Sequence, residues 1–108
     1  MIIVTTETVS GMRIVQCLGM VRGNTVRCRH VGKDVLAVFR NLVGGEIYEY
    51  TKMIAESREQ SLDRMIAEAQ DLGANAIVGV RFMTSSIAAG AAELLVFGTA
   101  VVVEPVDS

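Results

Sequence analysis

An α+β fold, with an antiparallel sheet of about three main strands packed on one long helix, is what this sequence predicts. Three observations carry the prediction. Between Glu46 and Leu72 apolar residues recur at helical spacing. Three runs rich in branched side chains have the length and boundaries of strands. Glycines punctuate the joins between them. A chain of 108 residues has the size of one domain, taken here as 1–108.

The first long strand pattern is Arg13–Arg22 (RIVQCLGMVR), closed by a Gly23-Asn24 pair that reads as a turn. Ile2–Val4 predicts an extra short strand before it. Thr25–His30 (TVRCRH) fits neither period. Asp34–Leu42 reads as an extra short helix with Val35, Val38, Phe39 and Leu42 on one side, broken by Gly44-Gly45.

In the long helix, Ile47, Tyr50, Ile54, Leu62, Met65, Ala69 and Leu72 make the apolar stripe. Lys52, Glu56, Glu59, Asp63, Arg64 and Glu68 fall mostly on the other side, and Arg58 with Ser61 leaves a polar gap in the stripe. From Glu46 to Leu72 this helix is roughly 40 Å long at about 1.5 Å per residue. Gly73 stands just past the last apolar position, where a left-handed residue closes a Schellman or αL cap. Asn75 lies in the turn that follows. Ala76–Thr84 and Leu94–Glu104 then read as strands, the second stopped by Pro105. They predict an antiparallel hairpin around a loose connection, Ser85–Glu93.

Gly19, Gly79 and Gly98 each interrupt a strand, which marks a bulge or a close approach. The expectation is tight packing over the middle of the sheet, so that Gly79→Val or Gly98→Val overpacks. Alternation puts Val78, Val80 and Phe82 on one face and Ile77, Gly79, Arg81 and Met83 on the other. In the last strand, Leu94, Val96, Ala100 and Val102 oppose Leu95, Phe97, Val101 and Val103. Both faces are apolar, yet one helix covers one face. Subunit association is the simplest way to bury the other.

The apolar fraction is 51% with 5% aromatic residues and no Trp, so the core is built from Val, Ile, Leu, Ala and Met. Ten basic against twelve acidic residues give a net charge of −2, which argues against a nucleic-acid partner and gives little support for an anionic membrane surface. Ile87–Val103 is the one stretch that resembles a span, but Glu93, two glycines and a branched tail mark it as a buried strand. Two cysteines are too few for a disulfide framework, and the N-terminus lacks the pattern of a signal peptide. The expected location is cytoplasmic, with both thiols reduced.

Chemistry-bearing residues are sparse. Cys28 and His30 form a C-x-H pair suited to a transition-metal ion, and Cys17 could in principle join them, although its place in a strand predicts burial. At most three such ligands per chain fall short of a structural zinc set, unless subunits share them. The plainer reading is an incidental pair in a loop. Gly44-Gly45-Glu46 opens the long helix without a phosphate-binding motif and reads as a break. In Arg58-Glu59, Arg58 is either an anion ligand in a cleft or, more simply, an interface or intrachain salt-bridge partner. No nucleophile–base arrangement accompanies His30.

The stretch GGEIYEYTKMIAESREQSLDRMIAEAQDLGANAIVGVRF, followed by ELLVFGTAV, resembles the YbjQ family, labelled heavy-metal-binding. The resemblance spans nearly the whole chain. It is carried by Gly44-Gly45, Arg58-Glu59, Met65, Leu72–Gly79 with Val80, Gly98-Thr99-Ala100 and the Gly19-x-x-x-Gly23 spacing. It implies a dodecin-like α+β subunit, a ring-like homopentamer and metal binding, with Cys28 and His30 outside the motifs that carry it. Two classes of function follow: a non-enzymatic homo-oligomer binding a metal ion or small ligand, or an enzyme with a composite site from Arg58, Glu59 or Arg81 of neighbouring chains.

Overall fold

The computed structural model describes residues 1–28, 45–88 and 91–106. Its elements in chain order are β1 (Ile2–Ile3), β2 (Met12–Cys28), α1 (Gly45–Asp71), β3 (Ala76–Ala88) and β4 (Ala91–Pro105). They form one sheet of four strands in the order β1-β3-β4-β2. The three long strands are antiparallel neighbours, as expected, but the short one pairs with β3 in parallel, so the sheet is mixed. Parallel neighbours need a long crossover, and β2 and α1 lie between β1 and β3 in the chain. The helix predicted at Asp34–Leu42 lies outside the described residues.

Helix α1 matches the predicted Glu46–Leu72 span closely. Its end is a Schellman cap: the Ala74 N–H donates to the Ala69 carbonyl and that of Gly73 to Gln70, both at 3.0 Å, with Gly73 at φ 88°. Asn75 then ties the turn to β4. Its amide Nδ2 donates to the Val103 carbonyl at 2.9 Å, and its Oδ1 accepts the Val103 N–H at 2.8 Å.

The Gly23-Asn24 turn is not formed. Strand β2 runs through it without a break and reaches Cys28. Glycine serves here for closeness, not reversal. A Cβ on Gly23 would lie 2.7 Å from the Met65 backbone nitrogen and closer still to the Ser61 carbonyl oxygen, so the main chain of α1 rests directly on β2. The helix face that makes this contact is Ser57, Ser61, Met65 and Ala69, all buried at steps of four. Ser61, expected to be a gap in the apolar stripe, is therefore part of the seam, whereas Leu72 is exposed. The Ser61 hydroxyl hydrogen-bonds that of Thr25, and the proton not used between them goes to a carbonyl, that of Ser57 at 2.9 Å from the Thr25 oxygen or that of Leu94 at 3.2 Å from the Ser61 oxygen. The buried hydroxyls of Thr25 and Ser61 are thus satisfied.

The hairpin of β3 and β4 is longer than predicted. Pairing continues through Ser85 with Glu93 to Ala88 with Ala91, replacing most of the loose connection by ladder. Between Val78 and Arg81 the register shifts at Gly79, whose φ is 64°. Such a bulge changes which side chains face alike. Ile77 and Val80 accordingly share one cluster with Val21, Met65, Ala69, Val96 and Ala100 beneath the helix. Val78 belongs to the opposite cluster with Ala76, Val101 and Val103. The predicted grouping of Val78 with Val80 is corrected by the bulge; the alternation predicted for β4 stands.

The cluster away from the helix is capped by Ile2, Val4, Val9 and Met12. The N-terminal segment is held there by backbone bonds, Gly79 N–H to Thr6 at 2.8 Å and Val80 N–H to Val4 at 3.1 Å. One end of the sheet is thus covered on both sides. At the other end no described residue covers the helix-free side, and the molecule is long and thin, 61 × 23 × 16 Å. Its radius of gyration is 18.1 Å, against about 13 Å for a compact domain of this length.

The expected tight packing over the glycines holds at Gly98, where a Cβ would meet Ile77 Cγ2 at 2.8 Å, and not at Gly19 or Gly79, which face open space. Gly23→Ala is therefore expected to cost about 3 kcal/mol, because rigid main chain fills the space. Gly98→Val should cost about 1–3 kcal/mol by overpacking. Gly79→Val should cost about 1–2 kcal/mol through its left-handed conformation rather than through crowding. Denaturation midpoints of the three variants, measured side by side, check this ranking.

Candidate functional site

Strand β2 decides where the candidate metal ligands stand. Cys28 is its last residue, opposite Ala91, and Cys17 lies opposite Val101. Eleven residues of extended chain separate the two by roughly 36 Å at about 3.3 Å per residue. Cys17 therefore cannot join Cys28 on one ion within a chain. Nor is Cys17 buried, as its strand pattern predicted. It is exposed, because it sits on an edge strand between two register shifts, at Ile14/Gln16 and Cys17/Gly19. His30 lies outside the described residues. Among the described residues no three His, Cys, Asp or Glu side chains converge as metal ligands.

The residues of the alternative composite site are also kept apart within one chain. Arg58 and Glu59 are exposed on α1. Arg81 is opposite Phe97, on the face of the sheet that the helix does not cover. The anion-binding candidate at Gly44-Gly45-Glu46 begins outside the described residues, and α1 itself begins at Gly45.

The uncovered sheet face that the apolar pattern predicted is found on half of the sheet; what sequence reasoning missed is that Arg22, Asn24 and Val26 of β2 belong to it. Register and alternation place three rows across it. Arg22, Phe97 and Arg81 form one row, Asn24, Leu95 and Met83 the next, and Val26, Glu93 and Ser85 the outermost. Met20 stands beside the first row, opposite Thr99. Met20, Val26 and Met83 are 64%, 53% and 53% exposed, values that mark this surface as bare. Two guanidinium groups flank the Phe97 ring position from neighbouring strands. Arg81 is held by donating Nη1 to the Thr5 and Val80 carbonyls at 2.7 and 2.9 Å. Glu93 accepts a long bond of 3.4 Å from Asn24. The alternation of Arg22, Asn24 and Val26 could have revealed the face, but only once the supposed turn at Gly23 was read as strand.

A two-layer α+β fold with one side of its sheet closed by a helix and half of the other side open among the described residues is the class that this structure defines. The chain belongs to the YbjQ family: the family model described as "Putative heavy-metal-binding" matches residues 1–104. A UPF0145 protein of Archaeoglobus fulgidus is 60% identical over 100 residues, 93% of each chain. One from Clostridium perfringens is 52% identical over 104 residues, 96% of this chain and 98% of the relative. A crystal structure of a DUF74-family protein of unknown function from Pediococcus pentosaceus matches with a TM-score of 0.68, covering 96% of this chain and 98% of that one. At 14% identity it shows the shared fold.

The exposure of Cys17 is directly measurable. In a Cys28→Ser variant, Cys17 is the remaining thiol, and a water-soluble disulfide reagent should modify it in the native protein about as fast as in denaturant. Protection until unfolding would place it in a buried site instead.

Proposed function

We propose that this chain is a non-enzymatic subunit of a ring-forming homo-oligomer, of dodecin-like type and most simply a pentamer, which binds a metal ion or small ligand between subunits. The observation that carries the reading is the bare half-sheet. It exposes Met20, Val26 and Met83 beside half-buried Leu95 and Phe97, apolar groups set among Arg22, Arg81 and Asn24 on a face that no described residue covers. A second copy supplies the missing layer.

Metal binding enters through the family description and meets a shortage of ligands. Cys28 and His30 would supply a thiolate and an imidazole, two per chain, where structural zinc takes four. A site of this kind has to be shared between chains near a symmetry axis. A cytoplasmic location fits the same picture, since Cys17 and Cys28 are too far apart to bridge within one chain. No helix among the described residues is long and apolar enough to cross a membrane.

Two measurements test the proposal separately. Light scattering on the purified protein should give a multiple of the single-chain mass, and a well-folded single chain overturns the oligomer. Calorimetric titration of chelator-treated protein with zinc should show binding that weakens as the pH is lowered, because thiolate and neutral imidazole are the binding forms. Cys28→Ser with His30→Ala should abolish it. Equal binding by both proteins, or none by either, removes these two residues as the site.

A further inference from the structure

The subunit presents two oppositely charged surfaces, and they lie on opposite sides of it. On α1, Glu56, Glu59 and Asp63 follow at steps of three and four, so they share one stripe. That stripe points away from the buried Ser57–Ser61–Met65–Ala69 seam, and all three acids are exposed. Among the described residues the ion pair present is Arg13 with Glu104, so none of the three acids is paired. Across the sheet, the exposed Arg22 and Arg81 flank Phe97 on the bare face, and neither meets a carboxylate.

The spacings agree. Seven helical residues from Glu56 to Asp63 cover about 10 Å. Two strand intervals from Arg22 to Arg81 also cover about 10 Å. Each surface carries one residue of the other sign as well, Lys52 at the start of the helix stripe and Glu93 at the far end of the face. Exposed Ala55 and Ala67 border the stripe and let another surface come close.

We infer that the acidic stripe Glu56–Glu59–Asp63 of one copy docks across the Arg22–Phe97–Arg81 row of the next, its helix lying crosswise over β2, β4 and β3. This rests on the oligomer proposed above and names its contact. The stems of the acids and the two alanines cover the exposed methionines, while the carboxylates meet guanidinium groups that pair with no carboxylate among the described residues of their own chain. Because the stripe and the row face opposite ways, the contact is heterologous. Each copy offers its helix to one neighbour and its sheet to the other, and such contacts form a ring when the rotation between copies closes.

Charge reversal tests the pairing. Arg22→Glu with Arg81→Glu, and separately Glu56→Lys with Asp63→Lys, should each reduce the oligomer to smaller species in light scattering. Both sets alter exposed groups, so circular dichroism should show the fold retained. A variant carrying all four changes restores opposite charges across the contact and should assemble to wild-type size. Assembly unaffected by either pair overturns the contact, as does a fourfold variant that stays dissociated. In both cases the wild-type oligomer still stands. A wild type that is itself a single folded chain overturns the oligomer first, and this contact with it.

Discussion

The distance between α1 and β2 governs the rest of the fold. At Gly23 no side chain separates helix from strand, and Ser57, Ser61 and Ala69 keep the opposing helix face small. The approach is so close that polar atoms of the seam must bond across it, which Thr25, Ser61 and the Leu94 carbonyl do. It also fixes what the helix can reach. Anchored on β2 and β4, it leaves β3 at the margin, where Phe82 remains 42% exposed although it pairs with buried Val96.

The sheet therefore has two unlike ends. Near Ala76 and Val101 it is sealed, by the helix on one side and the N-terminal segment on the other. Asn75 reinforces this end by pairing with Val103 as if its side chain were another stretch of strand. Towards Cys28 and Ala88 no described residue covers the helix-free side of the strands. Stability is concentrated at the first end and available surface at the second, a division of labour often seen where binding needs apolar groups within reach of solvent.

Much of this was legible in the residues. The helix, its glycine cap and the hairpin follow from periodicity, because each buries one face over many residues and repeats its signal. Three features were not. Gly23-Asn24 imitates a turn, since a glycine needed for closeness looks the same as one needed for reversal. Gly79 signals either a bulge or a close approach, and the close-approach reading groups Val78 with Val80, which the bulge places on the opposite face. Cys17 looks buried from its apolar neighbours, but an edge strand between two irregularities exposes it. Arg22 was passed over for a related reason: it ended a run that in fact continues, and its partner across the face, Phe97, is 75 residues further along the chain. Only pairing brings them together.

The bulge at Gly79 has a consequence for how such a chain can change over evolutionary time. Strand parity beyond it depends on one extra residue. Removing that residue would exchange Arg81 and Met83 with Phe82 and Thr84, turning a basic group toward the helix layer and an aromatic one outward. Substitutions along β3 alter this surface one residue at a time, whereas a single-residue deletion inverts it at a stroke. Length between Val78 and Arg81 is thus under tighter constraint than identity, and a lineage could tolerate many exchanges in this strand while tolerating no indel.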